Sequence, residues 1–288
     1  NVNRPKSASS IGYTLDCYTL CLMAHQWKKL SDISQANLTP MLRQYLEAKA
    51  ESGDSLLFFR MGDFYELFFE DAVEAAELLG IALTSRDAVN KDDRIPMAGV
   101  PVRAVDTYLA KAIKAGRTIT ICEQVEDPRD AKGIVKRAIV RTITPGTVIE
   151  PHLLEDGSNN YLAALCVRGD RAGLSLVDIT TGEFLAAQID GDVERTLFDE
   201  LTRMAPAELL VPSSFNGPAL TRLRSRFSGI AFTNRSDDDF DVADARACLL
   251  EQFGLATLKG VGLDDAPEAA SCAGAVLSYV RSTQRDMA

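Results

Sequence analysis

The sequence predicts an α/β protein made of two layered domains that follow one another along the chain. From residue 38 onward, hydrophobic residues alternate between helical and strand periods, which is typical of a mixed α/β domain. In the second half, three consecutive strand patterns precede alternating helices and strands. The chain has 288 residues, 46% hydrophobic and 25% charged, and this length accommodates two ordinary domains.

The amino-acid composition disfavours several classes of protein. No apolar run approaches the roughly 18 residues that a membrane-spanning helix needs, so we expect no membrane partner. The six cysteines are scattered through a long chain, which favours a reducing cytoplasm over a disulfide-stapled secreted domain. The two histidines, His25 and His152, lie far apart, so a zinc cluster or a serine triad has few residues to draw on. We therefore expect a cytoplasmic protein without a metal site.

The net charge of −10 is concentrated in the second half of the chain. Residues 38–143 carry a net charge of −2, whereas residues 144–288 carry −10. Within the first half, residues 86–141 hold 12 basic and 8 acidic side chains. An evenly acidic protein would repel nucleic acid, but this local basic excess would attract phosphates.

Residues 1–37 are expected to be a flexible leader outside the folded domains. The chain begins at Asn1, so we expect that the native start is missing or processed, or that the leader is an appended extension. An apolar run at 11–23 has a faint signal-peptide character. Asp16 interrupts this run and no A-x-A site follows it, which disfavours a secretory signal.

The first domain is predicted to cover residues 38–143. Thr39 followed by Pro40 is the cap and first-turn pattern of a helix. The apolar run 56–60 predicts a strand, and a glycine turn separates it from a second, aromatic-rich strand at 64–69.

Further elements complete this domain. We predict a short helix at 71–79, whose glutamates face solvent, and a turn at 95–99. Pro101 is predicted to open another helix. Strand patterns at 117–125 and 134–143 follow it.

The second domain is predicted to cover residues 159–288, after a linker at 144–158 that is rich in turn formers. Short polar turns separate its strand patterns at 161–167, 173–179 and 183–188, which suits an antiparallel meander. Helix and strand patterns alternate after the meander. This order is that of a ribonuclease-H-like layered fold.

The most informative string is MGDFYELFF, at residues 61–69. Alternation along a strand places Phe64 and Glu66 on one side and Tyr65 on the other. An aromatic ring and a carboxylate two residues apart on one face are an unusual pair. One interpretation is a core strand with Phe64 buried and Glu66 at its edge. The other is a binding site.

Four strings together resemble the start of the MutS family of bacterial mismatch-recognition proteins: LLFFRMGDFYELF, RIPMAGVP, TICEQV and IVRTITPGT. They occur in the family's order and spacing, and the resemblance runs from residue 38 to the chain end. It implies that Phe64 and Glu66 are the Phe-x-Glu pair with which the family's first domain probes mispaired DNA. It also implies that the second domain is the family's connector domain, which has a ribonuclease-H-like fold.

The chemistry of these two side chains suits the implied role. A phenylalanine pushed into the minor groove wedges a base step open and kinks the duplex. Unstacking costs about a few kcal/mol on a sound duplex and less at a mispair, so the wedge converts lost stability into selectivity. Because phosphates repel a carboxylate, we interpret Glu66 as a discriminator that accepts from a base-edge N–H, or donates when protonated.

Affinity for DNA must then come from other residues. Exposed basic side chains are candidates for contacts to the DNA backbone or grooves, although such side chains are often merely solvated. Met97 would widen the apolar contact beside Phe64, or would pack in a turn on the core. The candidate basic residues are Arg86, Lys91, Arg103, Lys111, Lys114 and Arg137.

No G-x-x-x-x-G-K-[ST] string occurs, so we expect no cofactor and no ATPase activity in this chain. The resemblance implies that a full-length relative binds ATP with Mg²⁺ in a C-terminal domain and acts as a homodimer. It implies double-stranded DNA with mispairs or small loops as one partner, and MutL, through the connector domain, as another. Alone, the chain is predicted to be a monomer that binds DNA weakly.

Two other functions are alternatives. A metal-dependent nuclease in the second domain would need converging carboxylates. Its predicted first strand contains no acid, and Asp178 and Glu183 fit turn and edge positions. A protein-interaction module is the other alternative, because an acidic second domain would be repelled by DNA and suits contacts with protein.

Overall fold

The computed structural model describes residues 38–87, 94–126, 133–154 and 157–284. The expected leader at 1–37 and the candidate Lys91 lie outside these residues. Of the helices in the described part of the chain, none is long and apolar enough to cross a membrane.

A six-stranded mixed sheet forms the first structural unit. Its strands are β1 (Leu56–Met61), β2 (Phe64–Phe68), β3 (Thr84–Asp87), β4 (Arg94–Pro101), β5 (Ile119–Gln124) and β6 (Arg137–Ile143). Their order in the sheet is β3-β4-β2-β1-β5-β6. Strands β1 and β5 pair in parallel, and the other neighbours are antiparallel. The predicted mixed α/β architecture is thereby confirmed.

Helices cover both faces of this sheet. They are α1 (Pro40–Ser52), α2 (Phe69–Leu79) and α3 (Val105–Lys114). Helix α1 packs over the face that buries Phe59 and Phe68, whereas α2 and α3 cover the face that buries Phe58 and Leu67. The predicted start of α1 is confirmed, because the Thr39 hydroxyl accepts a backbone hydrogen bond of 3.3 Å from the helix's first turn.

Strand β4 corrects the sequence interpretation. The predicted turn at 95–99 lies inside this strand. Pro96 is tolerated because β2 ends opposite Met97, so no ladder donor is needed there on the β2 side. The predicted helix start at Pro101 is also wrong. Pro101 ends β4, and a 3₁₀ turn at Val102–Ala104 precedes α3.

A five-stranded sheet forms the second unit. Its strands are β7 (Tyr161–Arg168), β8 (Arg171–Asp178), β9 (Glu183–Asp190), β10 (Glu208–Pro212) and β11 (Ala231–Arg235). The order is β11-β10-β7-β8-β9, in which β7, β8 and β9 form an antiparallel meander and β10 and β11 run parallel to β7. This is the predicted ribonuclease-H-like strand order, and the prediction is confirmed.

Four helices complete the second unit as a three-layer structure. They are α4 (Val193–Met204), α5 (Pro218–Arg226), α6 (Val242–Phe253) and α7 (Pro267–Thr283). Helices α4 and α5 cover one face of the sheet and α7 the other, with α6 packed on α7. Helix α7 lies very close to β8, because a Cβ added at Gly173 would lie 2.0 Å from the Glu268 carbonyl oxygen.

The segment between the two sheets begins with buried residues at 144–148. The Glu208 carboxylate at the start of β10 is wholly buried and accepts a hydrogen bond of 3.0 Å from the Gly146 backbone N–H. The Gln284 side chain, which follows α7, donates a hydrogen bond of 3.1 Å to the Thr147 carbonyl. This turn is therefore held by two elements of the second unit.

Candidate nucleic-acid interface

The Phe64 ring is exposed at the tip of a hairpin. Strands β1 and β2 are joined by two residues, and Gly62 adopts the positive φ of 62° that such a tight turn requires. Phe64 is the first residue of β2, opposite Met61 on β1 and Pro101 on β4. Its exposed fraction is 46%, so the interpretation of Phe64 as a buried core residue is wrong.

Glu66 lies beside Phe64 on the same face of β2. Its partner in β4 is Gly99, and the missing side chain there leaves space beside both residues. A Cβ added at Gly99 would lie 3.8 Å from the Phe64 ring and 3.9 Å from the Glu66 Cγ. The ring and the carboxylate therefore border a strip of bare backbone.

The same face of β2 becomes fully buried two residues further on. Phe68 is inaccessible to solvent, and its ring makes an edge-on contact with Tyr45 of α1 at 4.9 Å between centroids. The Tyr45 hydroxyl also accepts a hydrogen bond of 3.2 Å from the Phe68 backbone N–H. One end of β2 is thus fixed in the core while its other end presents Phe64.

The opposite face of the hairpin is braced by a polar cluster. The Tyr65 hydroxyl donates to the Glu123 carboxylate, and the Arg60 guanidinium lies 5.4 Å from the Tyr65 ring centroid. Arg60 also donates a hydrogen bond of 2.5 Å to the Gly62 carbonyl in the turn. Burial, together with the bond to Glu123, raises the pKa of Tyr65 to about 12, so its hydroxyl stays protonated as a donor.

An arginine holds the Glu66 carboxylate. Arg86 Nη1 lies 2.8 Å from Glu66 Oε2, and the exposed side-chain fractions are 40% for Arg86 and 18% for Glu66. Burial raises the pKa of Glu66 above its ordinary value, and the charge and hydrogen bond of Arg86 oppose this rise. Arg86, a candidate for DNA contact, is therefore paired with the candidate discriminator.

Arg137 contacts the elements that support the hairpin. Its Nε donates a hydrogen bond of 2.7 Å to the Arg60 carbonyl, and its Nη1 donates one of 3.2 Å to the Gln44 side chain. Its guanidinium lies 5.1 Å from the Phe59 ring centroid. Partial burial lowers the pKa of Arg137. These contacts make Arg137 a brace between α1, β1 and β6.

The remaining basic candidates do not gather around Phe64. Lys111 and Lys114 lie on α3, which packs through Leu109 against the face opposite Phe64. Lys111 donates a hydrogen bond of 3.2 Å to the carbonyl at the end of α2. Arg103 is exposed in the 3₁₀ turn just beyond Pro101, the residue that pairs with Phe64.

Met97 is a strand residue and not a turn residue. It pairs with Phe68, is half-buried and packs against the core beneath α1. Two features near Phe64 were missed by the sequence analysis: half-buried Met61 opposite it, and Gly99. The alternation of Ile95, Met97 and Gly99 along β4 is the signal that would have placed Gly99 on this face.

The carboxylates considered for a nuclease make structural contacts. Asp178 is buried and accepts hydrogen bonds of 2.9 Å and 2.6 Å from the backbone and hydroxyl of Thr180. Glu183 accepts one of 2.5 Å from the Tyr161 hydroxyl. Within 38–87, 94–126, 133–154 and 157–284, no group of three His, Cys, Asp or Glu residues is arranged to hold a metal ion.

Two family models match the chain. MutS domain I matches residues 39–152, and MutS domain II matches residues 160–288. Each match coincides with one of the two sheets described above.

Similar proteins carry the same family name. The DNA mismatch repair protein MutS of Desulforapulum autotrophicum is 47% identical over 250 residues, which are 85% of this chain and 28% of that protein. Proteins of the same name from Symbiobacterium thermophilum and Myxococcus xanthus are 43% and 44% identical over 87% and 88% of the chain. The chain spans 28% to 29% of the length of these relatives.

Proposed function

Since the chain belongs to the MutS family and contains its domains I and II, we propose that it recognises mispaired DNA in mismatch repair through Phe64 and Glu66. The observation that carries this proposal is an exposed phenylalanine beside a carboxylate at the tip of a braced hairpin. An exposed ring on a rigid support is what a wedge requires, because a mobile support would yield before the base stack does.

Phe64 is proposed to enter the minor groove at the mispair. Its ring stacks on a base and opens the adjacent step, which bends the duplex. The energy needed is lower where pairing is already defective, so the wedge favours mispairs and small loops without reading the sequence.

Glu66 is proposed to accept a hydrogen bond from a mispaired base. A carboxylate near phosphates costs binding energy on any duplex, and the cost is offset only where an unpaired N–H is available. The residue therefore contributes to discrimination more than to affinity.

Affinity for the DNA backbone is proposed to come from exposed basic side chains. Arg103 is the candidate that we propose for this role, because it is exposed in a 3₁₀ turn two residues after Pro101, the residue that pairs with Phe64. A phosphate contact here would add binding energy that does not depend on the mispair.

The wedge is tested by replacing Phe64 with alanine. We expect Phe64→Ala to abolish the preference for a mismatched over a matched duplex, measured by fluorescence anisotropy with both DNAs at one salt concentration. Stability should change by less than about 1 kcal/mol in urea unfolding, because the ring is only partly buried.

Phe253 offers a matched control, because it is a phenylalanine of the second unit with an exposed fraction of 50%. Phe253→Ala should leave the mismatch preference unchanged. A Phe64→Ala chain that folds and still prefers the mismatch would refute the proposal.

For the longer relatives we propose that ATP with Mg²⁺, homodimerisation and MutL complete the repair function. The 288 residues contain no phosphate-loop motif, the usual loop for binding the phosphates of ATP. Residues 144–288, which contain the second unit and carry a net charge of −10, are proposed as the part that meets MutL.

A further inference from the structure

The arginine that pairs with Glu66 comes from a distant strand. Arg86 lies on β3, and β4 separates β3 from β2 in the sheet. Its side chain crosses β4 to bring Nη1 within 2.8 Å of Glu66 Oε2. Gly99 leaves this face of β4 without a side chain beside Glu66, which keeps the carboxylate accessible from that direction.

Only one oxygen of the Glu66 carboxylate is used by this pair. Arg86 binds Oε2, and no hydrogen bond to Oε1 occurs among the described residues. The carboxylate nevertheless has little room to rotate, since its side chain is only 18% exposed and has a partner at one end. Because Arg86 holds the Glu66 carboxylate by Oε2, the position of Oε1 is also fixed, and Oε1 can accept a further hydrogen bond.

We propose that Arg86 is a positioning residue for mismatch discrimination, which holds Glu66 by Oε2 and leaves Oε1 for a base-edge N–H, and that it does not itself bind phosphate. This inference rests on the proposed function of Phe64 and Glu66. It differs from the expectation that Arg86 is a backbone contact, because the guanidinium is already engaged with Glu66.

The two roles differ in their salt dependence. A side chain that neutralises a phosphate contributes about 0.9 to the slope of log affinity against log salt, and its removal weakens binding to all duplexes alike. A positioning residue changes the ratio of mismatched to matched affinity and leaves the slope unchanged.

The experiment measures both quantities for Arg86→Ala and for Arg103→Ala, a matched control whose exposed side chain forms no ion pair with a described residue. Anisotropy titrations of matched and mismatched duplexes over a salt series supply the ratio and the slope. We expect Arg86→Ala to lower the ratio roughly two- to fivefold, as for a partly exposed ion pair, with no change in slope. Arg103→Ala should lower the slope and keep the ratio.

Two further variants isolate the ion pair. Arg86→Lys should restore part of the ratio, because it keeps the charge. Arg86→Ala should have no further effect on the ratio in a Glu66→Gln background if it acts through Glu66. A lower slope for Arg86→Ala, an unchanged ratio, or full additivity with Glu66→Gln would each overturn the proposal.

Failure of the proposed function of Phe64 and Glu66 would give a different result from failure of the Arg86 proposal. If Phe64 and Glu66 did not recognise mispairs, the unmodified chain or its Phe64→Ala variant would already show this. Thermal unfolding of each variant confirms folding, and Arg86 is a suitable target because it lies on a short edge strand with 40% of its side chain exposed.

Discussion

Two glutamates, one in each sheet, differ in their burial and in their hydrogen-bonding partners. Glu66 on β2 is partly exposed and forms an ion pair with Arg86, and the charge of Arg137 acts on it as well. Glu208 on β10 is wholly buried, and no cation forms an ion pair with it in the described part of the chain. Its partners are neutral donors.

The Glu208 carboxylate is saturated with hydrogen bonds. Oε2 accepts from the Gly146 backbone N–H at 3.0 Å and from the Thr144 hydroxyl. Oε1 accepts from the Thr233 hydroxyl at 2.6 Å and from the Tyr279 hydroxyl at 2.8 Å. Burial and the nearby carboxylate raise the pKa of Tyr279, which keeps this hydroxyl protonated.

The difference separates a structural carboxylate from one that we propose to bind DNA. Every acceptor position at Glu208 that faces the joint between the sheets is filled, so no ligand has access to it. Glu66 keeps one oxygen without a described hydrogen bond, next to an exposed aromatic ring. A buried polar group is normally satisfied, and the proposed role of Glu66 requires an acceptor that is left open beside an exposed ring.

The largest effect is expected for Glu208→Ala. This change leaves the donors of Thr144, Gly146, Thr233 and Tyr279 without their acceptor. We expect a loss of at least about 3 kcal/mol in the free energy of unfolding, because each unsatisfied buried group costs about 1–3 kcal/mol. Urea denaturation measures this loss.

Glu183→Ala is the matched control, since Glu183 is exposed and its carboxylate accepts only from the Tyr161 hydroxyl and the Asn159 side-chain amide among the described residues. It should cost about 1 kcal/mol. Equal losses for the two variants would contradict the contrast between saturated and exposed carboxylates.

An intermediate effect is expected for Gly146→Ala. A Cβ at Gly146 would lie 2.9 Å from the Glu208 Cβ and 3.0 Å from the Leu162 Cα, so the turn would have to move away from β10. Overpacking of this kind costs about 1–3 kcal/mol. The unfolding free energy of Gly229→Ala should be almost unchanged, since nothing lies within 4 Å of the added atom there. A neutral Gly146→Ala would show that the turn is not tightly seated.

The smallest effect on stability is expected for Glu66→Gln, at less than about 1 kcal/mol. Burial raises the pKa of Glu66 above 4.5, so the folded state favours the protonated acid. The stabilisation from protonated Glu66 is present below pH 4.5 and is lost as the pH rises through the raised pKa. Glu66→Gln should therefore gain stability relative to the parent chain between pH 4 and pH 7.

Glu150→Gln tests the sign of this effect. Burial opposes ionisation of Glu150, but the hydrogen bond and charge of Arg141 outweigh it and lower the pKa. The stabilisation from ionised Glu150 is present above its ordinary pKa and is lost as the pH falls through the lowered one. Glu150→Gln should accordingly lose stability relative to the parent chain as the pH rises. The same sign for both variants would contradict these pKa directions.

Local patterns predicted the elements that depend on neighbouring residues. The glycine turn at Gly62, the alternation that separates Phe64 from Tyr65, and the meander of the second sheet all follow from short-range rules. Strand β4 was missed because Pro96 and Gly99 weaken its strand signal, and only pairing with β2 and β3 makes it a strand.

The contacts that define the two glutamates could not be predicted in this way. Arg86 is 20 residues from Glu66 in the sequence, and the pair exists because the sheet order places β3 near β2. The donors to Glu208 lie as far as 71 residues away. Charge and hydrogen-bonding partners of this kind depend on the tertiary fold.

The contacts of the 144–148 turn with the second unit have a consequence for folding during translation. A ribosome releases this turn before it has synthesised Glu208, and long before Tyr279 and Gln284 emerge. The first sheet can close early, as N-terminal units do during translation, but its trailing turn acquires its acceptor only when β10 arrives and its final contacts when α7 does. The joint between the two sheets therefore cannot be complete before Gln284 has emerged.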